Sequence, residues 1–341
     1  MFFLHSLVEN RKIWKNSRIQ KGENFMTNFK GHKSLNEVPI FFATDNNYLP
    51  FLDVALRSLI ANASRDYKYR IVILNVGLNK DKMDKIMALQ DDNFIIDFVN
   101  ISHEFEDIRH KLKNIFHFSL ACYYRLFIEN LFPEYDKILY LDCDIIVLGD
   151  ISKLYFEDVK DYAVAGVVEQ HIKFSPVFSN YTKKVVGVDC NHYINSGIMI
   201  MNLKKIRELQ VEEKFVDLIN RYNFDVIDPD QAYINYLCKG HIKFLPIEWN
   251  RTTCEKIECK KPQIVHYALG EKPWDNKKTF LGKYFWKYAI TSSFYEDILQ
   301  KNKQYDSLAK LKKQRAGIDI QIQALECTMS KNTFVNMLGA H

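Results

Sequence analysis

The sequence is poor in the residues that break regular structure: only 12 Gly and 8 Pro occur in 341 residues. This scarcity excludes a collagen-like or low-complexity chain and argues against long linkers. No apolar run reaches the ~18 residues that cross a membrane. The first residues lack a basic segment followed by a long apolar one, so we expect no signal peptide. With 47% hydrophobic residues, the composition is that of a globular protein with a sizeable core.

Cysteine is also used sparingly, in a pattern that does not indicate a disulfide framework. The seven residues are an odd number and include no Cys-x-x-Cys pair. Cys254 and Cys259 lack the second pair of ligands that would complete a zinc site. The pattern favours a reducing compartment, so we predict a cytoplasmic protein.

The positive charge is concentrated at the two ends of the chain. The net charge is +5, and residues 1–37 and 299–341 each carry seven Lys and Arg against three acids. A nucleic-acid enzyme more often carries its positive charge on the body of the fold, so we expect no nucleic-acid partner. Basic ends suit an anionic surface. Peripheral contact with the inner face of the membrane is therefore one interpretation, and solvated termini are the other.

Between the ends, short apolar runs alternate with apolar residues at helical spacing. The pattern predicts strands at 38–43, 69–74, 94–99, 137–141, 163–168 and 198–201, and helices at 52–60, 80–89, 119–131, 204–222 and 230–238. Such alternation indicates an α/β fold with a mainly parallel central sheet flanked by helices. We divide the chain into an N-terminal extension (1–37), one main domain (38–275) and a basic, mostly helical C-terminal region (276–341).

The most informative short motif is Leu141-Asp142-Cys143-Asp144, at the end of a predicted strand. Carboxylates two residues apart point to the same side, at the sheet edge where open α/β folds bind ligands. A cation relieves their repulsion, and oxygen ligands favour Mg²⁺ or Mn²⁺ bridging to phosphates. A haloacid-dehalogenase-like phosphatase is the alternative. It also places an Asp-x-Asp after a strand, although on the first strand of its core.

Other polar segments stand where predicted elements begin or end. They are Asn195-Ser196-Gly197, Asp228-Pro229-Asp230-Gln231, His266-Tyr267 and Lys272-Pro273-Trp274. Asp230 also suits the N-cap of a helix, whatever its function. The rigid Pro273 and bulky Trp274 would hold the ammonium of Lys272 in place. Residues 171–192 are too many for a simple connection between strands, and we expect a lid or an acceptor loop there.

Together these segments resemble the family 8 retaining glycosyltransferases, which include glycogenin and bacterial lipopolysaccharide galactosyl- and glucosyltransferases. The resemblance covers about residues 38–295. Five segments in the family's order carry it: Phe42-Ala43-Thr44-Asp45-Asn46-Asn47-Tyr48, Tyr124-Arg125-Leu126, Leu141-Asp142-Cys143-Asp144, Asn195-Ser196-Gly197, and Asp230-Gln231 with His266 and Lys272-Pro273-Trp274. The resemblance implies a GT-A fold, a catalytic role for residues 38–275, a UDP-sugar donor and a Mn²⁺ ion, with Mg²⁺ as the alternative metal.

The resemblance also implies roles for individual residues. Asp142, Asp144 and His266 would bind the metal, and an imidazole among carboxylates favours Mn²⁺ over Mg²⁺. The residues implied to hold the nucleotide and diphosphate are Ala43, Asp45, Asn47, Tyr48, Arg125, Asp142, Cys143 and Lys272. The residues implied to face the sugar and carry catalysis are Asn195, Asp230 and Gln231. Leu269 replaces the family's usual Gly three residues after the metal His, so the backbone approach to the diphosphate is expected to differ.

The implied reaction moves galactose or glucose from a UDP-sugar to a saccharide or lipid-linked glycan acceptor, with retention at the anomeric carbon. A neutral Gln231 is a poor nucleophile, so we favour attack from the leaving-group side, with a donor phosphate oxygen taking the acceptor proton. A non-catalytic sugar-nucleotide-binding protein on the same fold is a further alternative.

The tail carries its own apolar pattern. Its apolar residues recur at three- and four-residue spacing among lysines: Leu308, Leu311, Ile318, Ile322 and Leu325. The pattern predicts a basic amphipathic helix or a short coiled-coil seam. Such a helix could pack on the parent domain, contact a membrane surface or pair with a second subunit in a homo-oligomer.

Overall fold

The computed structural model describes residues 36–106, 108–113, 120–270 and 272–339. Apart from its last two residues, the predicted N-terminal extension (1–37) lies outside these ranges. The first strand begins at Glu37. The division of the chain into three regions stays a prediction.

The strands form two sheets. They are β1 (Glu37–Ala43), β2 (Lys68–Asn75), β3 (Phe94–Asn100), β4 (Lys137–Leu141), β5 (Ile145–Val147), β6 (Val164–Val168), β7 (Ile194–Asn202), β8 (Ile242–Phe244), β9 (Arg251–Thr252) and β10 (Ile264–His266). The central sheet has seven strands in the order β3-β2-β1-β4-β7-β6-β8, and a small sheet has the order β5-β10-β9. Within the described residues, β7 runs antiparallel to both of its neighbours in the central sheet, and the other neighbouring strands pair in parallel. The predicted α/β fold with a mainly parallel sheet is confirmed.

Helices cover both faces of the central sheet and continue into the tail. The α-helices are α1 (Leu49–Asn62), α2 (Lys80–Met87), α3 (Ile128–Leu131), α4 (Ile151–Tyr155), α5 (Gln170–Lys173), α6 (Pro176–Tyr181), α7 (Leu203–Leu209), α8 (Val211–Arg221), α9 (Gln231–Leu237), α10 (Gly282–Ala289), α11 (Tyr295–Lys303), α12 (Ser307–Met329) and α13 (Phe334–Leu338). The 3₁₀-helices are Ser102–Phe105, Leu120–Phe127, Cys190–His192 and Ile247–Asn250, and Thr182–Val186 is a π-helix.

The central strands are buried on both faces, and their side chains alternate between two hydrophobic cores. Ile40 and Phe42 of β1 belong to the core that contains Leu52 of α1. Phe41 belongs to the other core, where its ring meets Phe132 edge-on at 4.8 Å. This period of two follows from the strand geometry. A ligand can therefore approach the sheet only at its edge, beyond the strand ends.

The predicted helix over 119–131 is helical over its described residues, but residues 120–127 form a 3₁₀-helix and only residues 128–131 an α-helix. Arg125 explains part of the difference. Its Nε donates to the carbonyl of Cys122 at 3.0 Å, which is the carbonyl that an α-helix would pair with the N–H of Leu126. Residue 119 lies outside the described ranges.

The predicted helix over 204–222 is in fact two helices, α7 and α8. Gln210 separates them with a φ of 58°, in the left-handed region. Its backbone N–H bonds to the carbonyl of Arg207 at 3.0 Å, which satisfies one of the free carbonyls at the end of α7.

Two segments near the cavity described below have a structure that differs from the one the sequence predicted. Strand β7 begins at Ile194 rather than at residue 198, so Asn195-Ser196-Gly197 lies within the strand. Residues 171–192 form short helical segments rather than an open loop, and Tyr181 and Val185 within them are fully buried. The lid or acceptor role of this segment stays a prediction.

The tail helix α12 has 23 residues and docks on the domain with one face only. Its inner face includes the buried Ala324 and Cys327. The predicted apolar residues lie on the other side. They form the outer stripe, which consists of Leu308, Leu311, Ile318, Ile322, Leu325 and Met329, with exposed fractions between 44% and 77%. Among the described residues, no helix combines the length and apolarity needed to cross a bilayer.

Candidate active site

A cavity of about 190 Å³ lies at the edge of the central sheet, beyond the ends of β1, β4 and β6 and beside the start of β7. Twelve of the thirteen predicted site residues line it: Ala43, Asp45, Tyr48, Arg125, Asp142, Cys143, Asp144, Asn195, Asp230, Gln231, His266 and Lys272. Asn47 does not line the cavity. It is exposed, and its backbone N–H donates to Oδ1 of Asp45 at 2.8 Å.

Backbone pairing in the small sheet brings His266 to the two aspartates. Asp142 and Asp144 lie between β4 and β5, and His266 of β10 pairs with Ile145 of β5. The N–H of Tyr267 donates to the carbonyl of Asp144 at 2.9 Å. As a result, His266 Nε2 lies 3.2 Å from Asp144 Oδ1 and 3.7 Å from Asp142 Oδ2.

The chemistry of this triad fits a divalent cation. One ligand atom from each of Asp142, Asp144 and His266 lies within 4.8 Å of the others. Nδ1 of His266 is 3.0 Å from Oδ1 of Asn250. Because an amide oxygen only accepts, Nδ1 donates to it, and Nε2 is the ring nitrogen that faces the two carboxylates and can coordinate a cation, as metal-binding histidines require.

Gly197 is the residue that leaves room for this triad. A Cβ at position 197 would lie 2.4 Å from Asp142 Oδ2 and 2.5 Å from His266 Cε1. Both distances are below van der Waals contact, so either ligand would have to move. The Gly of the Asn195-Ser196-Gly197 motif is therefore required by the close approach of the ligands rather than by a turn.

Cations already compensate the charge of both aspartates. Arg125 Nη2 lies 2.8 Å from Asp142 Oδ1, and Lys272 Nζ lies 2.7 Å from Asp144 Oδ2. Burial raises the pKa of Asp144, but Lys272 and His266 outweigh it and hold that pKa well below its ordinary value. Lys272 also donates to the carbonyl of Ala268 at 2.7 Å. Trp274 is buried and stacks on Phe51 at 3.6 Å, and its ring centroid lies 6.0 Å from Lys272 Nζ.

Asp230 and Gln231 are held by β7 rather than used as helix caps. Asp230 occupies the N-cap position of α9 but makes no side-chain capping bond. It accepts from Ser196 Oγ at 2.9 Å and pairs with Arg125 Nε at 3.2 Å. The backbone N–H of Ser196 donates to Oε1 of Gln231 at 3.0 Å. The interpretation of Asp230 as only a helix cap is therefore wrong.

The other end of the Gln231 amide bonds to Asp228. Gln231 Nε2 donates to Asp228 Oδ2 at 3.2 Å. Tyr181 and Tyr193 donate their hydroxyl protons to the same carboxyl group at 2.6 and 2.5 Å. Burial raises the pKa of Asp228 to about 7, although the hydrogen bonds from the tyrosines oppose this shift. The amide of Gln231 thus has one defined orientation, with its oxygen toward Ser196.

Sequence reasoning missed three functional side chains. Glu169 lines the cavity just after β6 and accepts from Asn195 Nδ2. Asn250 holds His266 as described, and also donates to Asn195 Oδ1 at 2.8 Å. Asp228 belonged to a quoted motif and could have been selected as a buried acid beside Asp230. Glu169 directly follows the predicted strand 163–168, just as Asp142 directly follows the predicted strand 137–141, so its position could have identified it. No local pattern of the sequence identified Asn250.

Tyr48, for which the family resemblance implies contact with the base, also lines this cavity. The ring of Tyr48 lies 6.3 Å from Trp274 and 5.6 Å from Phe51, edge-on to both. Asp45 accepts from the backbone N–H of Tyr48 at 3.1 Å. Cys143 donates its thiol proton to the carbonyl of Ala43 at 3.2 Å, which connects the segment after β4 to the end of β1. The contacts of these residues with a nucleotide stay predictions.

The sequence model of glycosyl transferase family 8 matches residues 39–278. The chain belongs to this family. The resemblance inferred from the five segments is thus confirmed, and this family 8 enzyme has the GT-A fold. The phosphatase alternative is wrong, because the Asp-x-Asp follows the fourth strand of a glycosyltransferase domain rather than the first strand of a phosphatase core.

The relatives of this family 8 enzyme include proteins that are named as glycosyltransferases. It is 28% identical over 252 residues to a putative glycosyltransferase of Haemophilus influenzae, covering 71% of this chain and 74% of that protein. It is 28% identical over 278 residues to the lipopolysaccharide 1,2-glucosyltransferase of Escherichia coli K12. The match covers 76% of this chain and 79% of that protein.

Solved structures show the same fold. The bifunctional glycosyltransferase WbbM superposes with a TM-score of 0.71 at 23% identity, covering 81% of this chain and 53% of WbbM. The family 8 enzyme thus spans about half the length of WbbM. The galactosyltransferase LgtC, solved with donor and acceptor sugar analogues, superposes with a TM-score of 0.62 at 24% identity and 75% and 96% coverage.

Replacing Gly197 by alanine is expected to weaken Mn²⁺ binding by about 10- to 100-fold, as for other changes that displace metal ligands. The reason is the overlap of the new Cβ with Asp142 and His266. Titration calorimetry with Mn²⁺ measures the effect, and circular dichroism checks the fold. Gly317→Ala is the matched control, since a Cβ there meets no atom within 4 Å. Equal Mn²⁺ affinity in both variants would contradict the assignment of the triad.

Replacing Asp228 by asparagine is expected to flatten the pH dependence of stability. The folded-state pKa of about 7 lies above the ordinary 3.8. The native state therefore keeps a proton that the unfolded state releases, and wild-type stability falls as pH rises between these values. The Asp228→Asn variant lacks this loss. The slopes of the free energy of unfolding against pH therefore differ between wild type and variant by up to about 1.4 kcal/mol per pH unit. Urea unfolding at about pH 5, 6 and 7 measures both slopes. Parallel curves would mean that Asp228 titrates normally.

Proposed function

We propose that this protein is a retaining hexosyltransferase that moves galactose or glucose from a UDP-sugar to a saccharide or lipid-linked glycan. The observation that carries the proposal is the triad of Asp142, Asp144 and His266 at the sheet edge, with Nε2 of His266 facing both carboxylates. The names of two relatives, a lipopolysaccharide 1,2-glucosyltransferase and a galactosyltransferase, support the hexose and a role in lipopolysaccharide biosynthesis.

The ligand set favours Mn²⁺, with Mg²⁺ as the alternative, because one imidazole joins two carboxylates. When bound, such an ion supplies positive charge that stabilises the departing nucleoside diphosphate. Lys272 adds a second positive charge at the cavity wall, where it lies 7% exposed. Fixed charges of this kind lower the barrier most when they need no reorganisation.

The nucleotide would lie between β1 and the Lys272 segment. Tyr48 offers an aromatic face for uracil, and Asp45 can accept from the uracil N–H or a ribose hydroxyl. Ala43 and Cys143 leave room for the ribose, and Asn47 would reach it from the exposed rim. Leu269 lines the cavity where the family has a glycine, while Gly270 takes a φ of 76°.

Retention without a covalent intermediate is supported by the hydrogen bonds of the candidate catalytic residues. Gln231 is a neutral amide whose two ends bond to Ser196 and Asp228. Asp230 is engaged by Arg125 and Ser196, so its carboxylate is already compensated. Asn195 is likewise held, through Gly197 and Asn250. These residues would orient the sugar while the acceptor attacks from the leaving-group side and a phosphate oxygen takes its proton.

The decisive experiment is UDP release from UDP-glucose and UDP-galactose in Mn²⁺, Mg²⁺ or chelator. We expect Mn²⁺-dependent release, reduced about 100-fold or more in Asp144→Asn because a charged metal ligand is lost. Asp84→Asn is the control, since Asp84 is an exposed carboxylate of α2 that pairs with the exposed Lys80 at 2.7 Å. Tight binding of UDP, with neither hydrolysis of the UDP-sugar nor transfer of its sugar to any acceptor, would favour the non-catalytic alternative.

We further propose that this enzyme is cytoplasmic and contacts an anionic membrane surface through the outer stripe of α12. Exposed apolar side chains in one row are costly in water and mark interaction surfaces. Lys310 and Lys312 are exposed beside the stripe. Each basic residue near an anionic surface contributes about 1 kcal/mol, so the charge favours a bilayer over a second, equally basic copy of the chain.

Sedimentation with phosphatidylcholine vesicles, with and without phosphatidylglycerol, tests this contact. The wild type is expected to sediment with the anionic vesicles, and a Leu311→Asn/Ile322→Asn variant is expected to stay in solution. Sedimentation velocity over a range of protein concentrations distinguishes the alternative. A dimer that the same variant dissociates would show that a second subunit, rather than lipid, covers the stripe.

A further inference from the structure

The cavity has an apolar wall that the donor chemistry does not require. Its members come from α5, α6, the segment before Asp228, and the tail helix: Ile172, Phe178, Ile227 and Ile320. All four pack with the same hydrophobic core, whereas Tyr48 and Cys143 pack with the other. The apolar wall therefore lies on the side of the cavity away from Tyr48 and Cys143, while Ala43 at the end of β1 packs with the same core as the wall.

Two acids, the buried Glu169 and the half-buried Asp228, lie between this wall and the polar part of the cavity. Glu169 is three residues before Ile172, and Asp228 directly follows Ile227; both acids line the cavity and are buried or held by hydrogen bonds. Carboxylates accept from sugar hydroxyls, while apolar side chains bind hydrocarbon. A ligand that suits both surfaces has a sugar joined to an apolar group.

The tail helix completes this wall with its inner face. Ile320 lines the cavity, and the neighbouring Ala324 and Cys327 are buried on the same face. Phe334 of α13 fixes the end of the tail by packing on Phe224 at 4.2 Å. Ile322 is two residues from Ile320, about 200° around the helix, and belongs to the outer stripe. The same helix thus presents one apolar face to the cavity and another to the exterior.

We propose that Ile172, Phe178, Ile227 and Ile320 form an acceptor subsite for an apolar aglycone, so that the preferred acceptor is an alkyl or aryl glycoside of the kind found in glycolipids. This rests on the proposed function. A nucleotide sugar has no hydrocarbon to fill the wall, and the metal ligands, Lys272 and Tyr48 account for its phosphates and base. The acceptor is the remaining substrate, and the wall adjoins Asp228, which holds Gln231.

Calorimetric binding of methyl and octyl glycosides tests the subsite, with UDP and Mn²⁺ present and the probes below their micelle concentrations. β-Glucosides, β-galactosides and β-lactosides are each used as the methyl and octyl pair. We expect the octyl member to bind at least about tenfold more tightly for one or more sugars, since each buried methylene contributes about 0.8 kcal/mol. Ile320→Asn is expected to remove this advantage, and the milder Ile320→Ala to reduce it.

Ile322→Asn is the matched control, because it makes the same change on the opposite face of α12, where Ile322 is 48% exposed. It is expected to retain the octyl advantage. Equal binding of methyl and octyl glycosides, or equal loss in Ile320→Asn and Ile322→Asn, would overturn the proposal. UDP release from UDP-hexose, measured on the wild type, reports the proposed function separately. Its absence would refute the transferase while the binding data still decide the subsite.

Discussion

Two like charges on one sheet edge are the constraint around which the site is built. Asp142 and Asp144 follow the same strand, and the side chain of Asp144 is only 10% exposed. Carboxylates so placed repel each other unless cations lie nearby. Arg125 compensates one, Lys272 and His266 compensate the other, and the remaining space between the ligand atoms suits a divalent ion.

The hydrogen bonds around the triad form a chain from the metal ligands to the proposed sugar side. His266 is oriented by Asn250, Asn250 bonds to Asn195, and Asn195 bonds to Glu169. A second chain runs from Arg125 through Asp230 to Ser196. Because every residue of these two chains has a hydrogen-bond partner, a change at one position affects the next. Such preorganisation is what a reaction through a charged transition state requires.

The tail links the cavity to the exterior of the molecule. Its two apolar faces explain why a simple amphipathic pattern was an incomplete description: the residues that recur at heptad spacing lie outside, and the docking face uses Ile320, Ala324 and Cys327. An acceptor with a hydrocarbon portion would contact one face while a membrane contacts the other. The proposed acceptor subsite and the proposed membrane surface are thus two sides of one helix.

The sequence by itself determined the α/β class, the family and twelve of the residues that line the cavity, because strand-end motifs and their order are local properties of the chain. It did not determine the break at Gln210, the 3₁₀-helix around Arg125 or the strand character of Asn195-Ser196-Gly197. Those depend on contacts between distant residues. Only the tertiary structure decided that Asn250 would orient His266 and that Ile320 would reach the cavity, since pairing of β5 with β10 and docking of α12 join residues far apart in the chain.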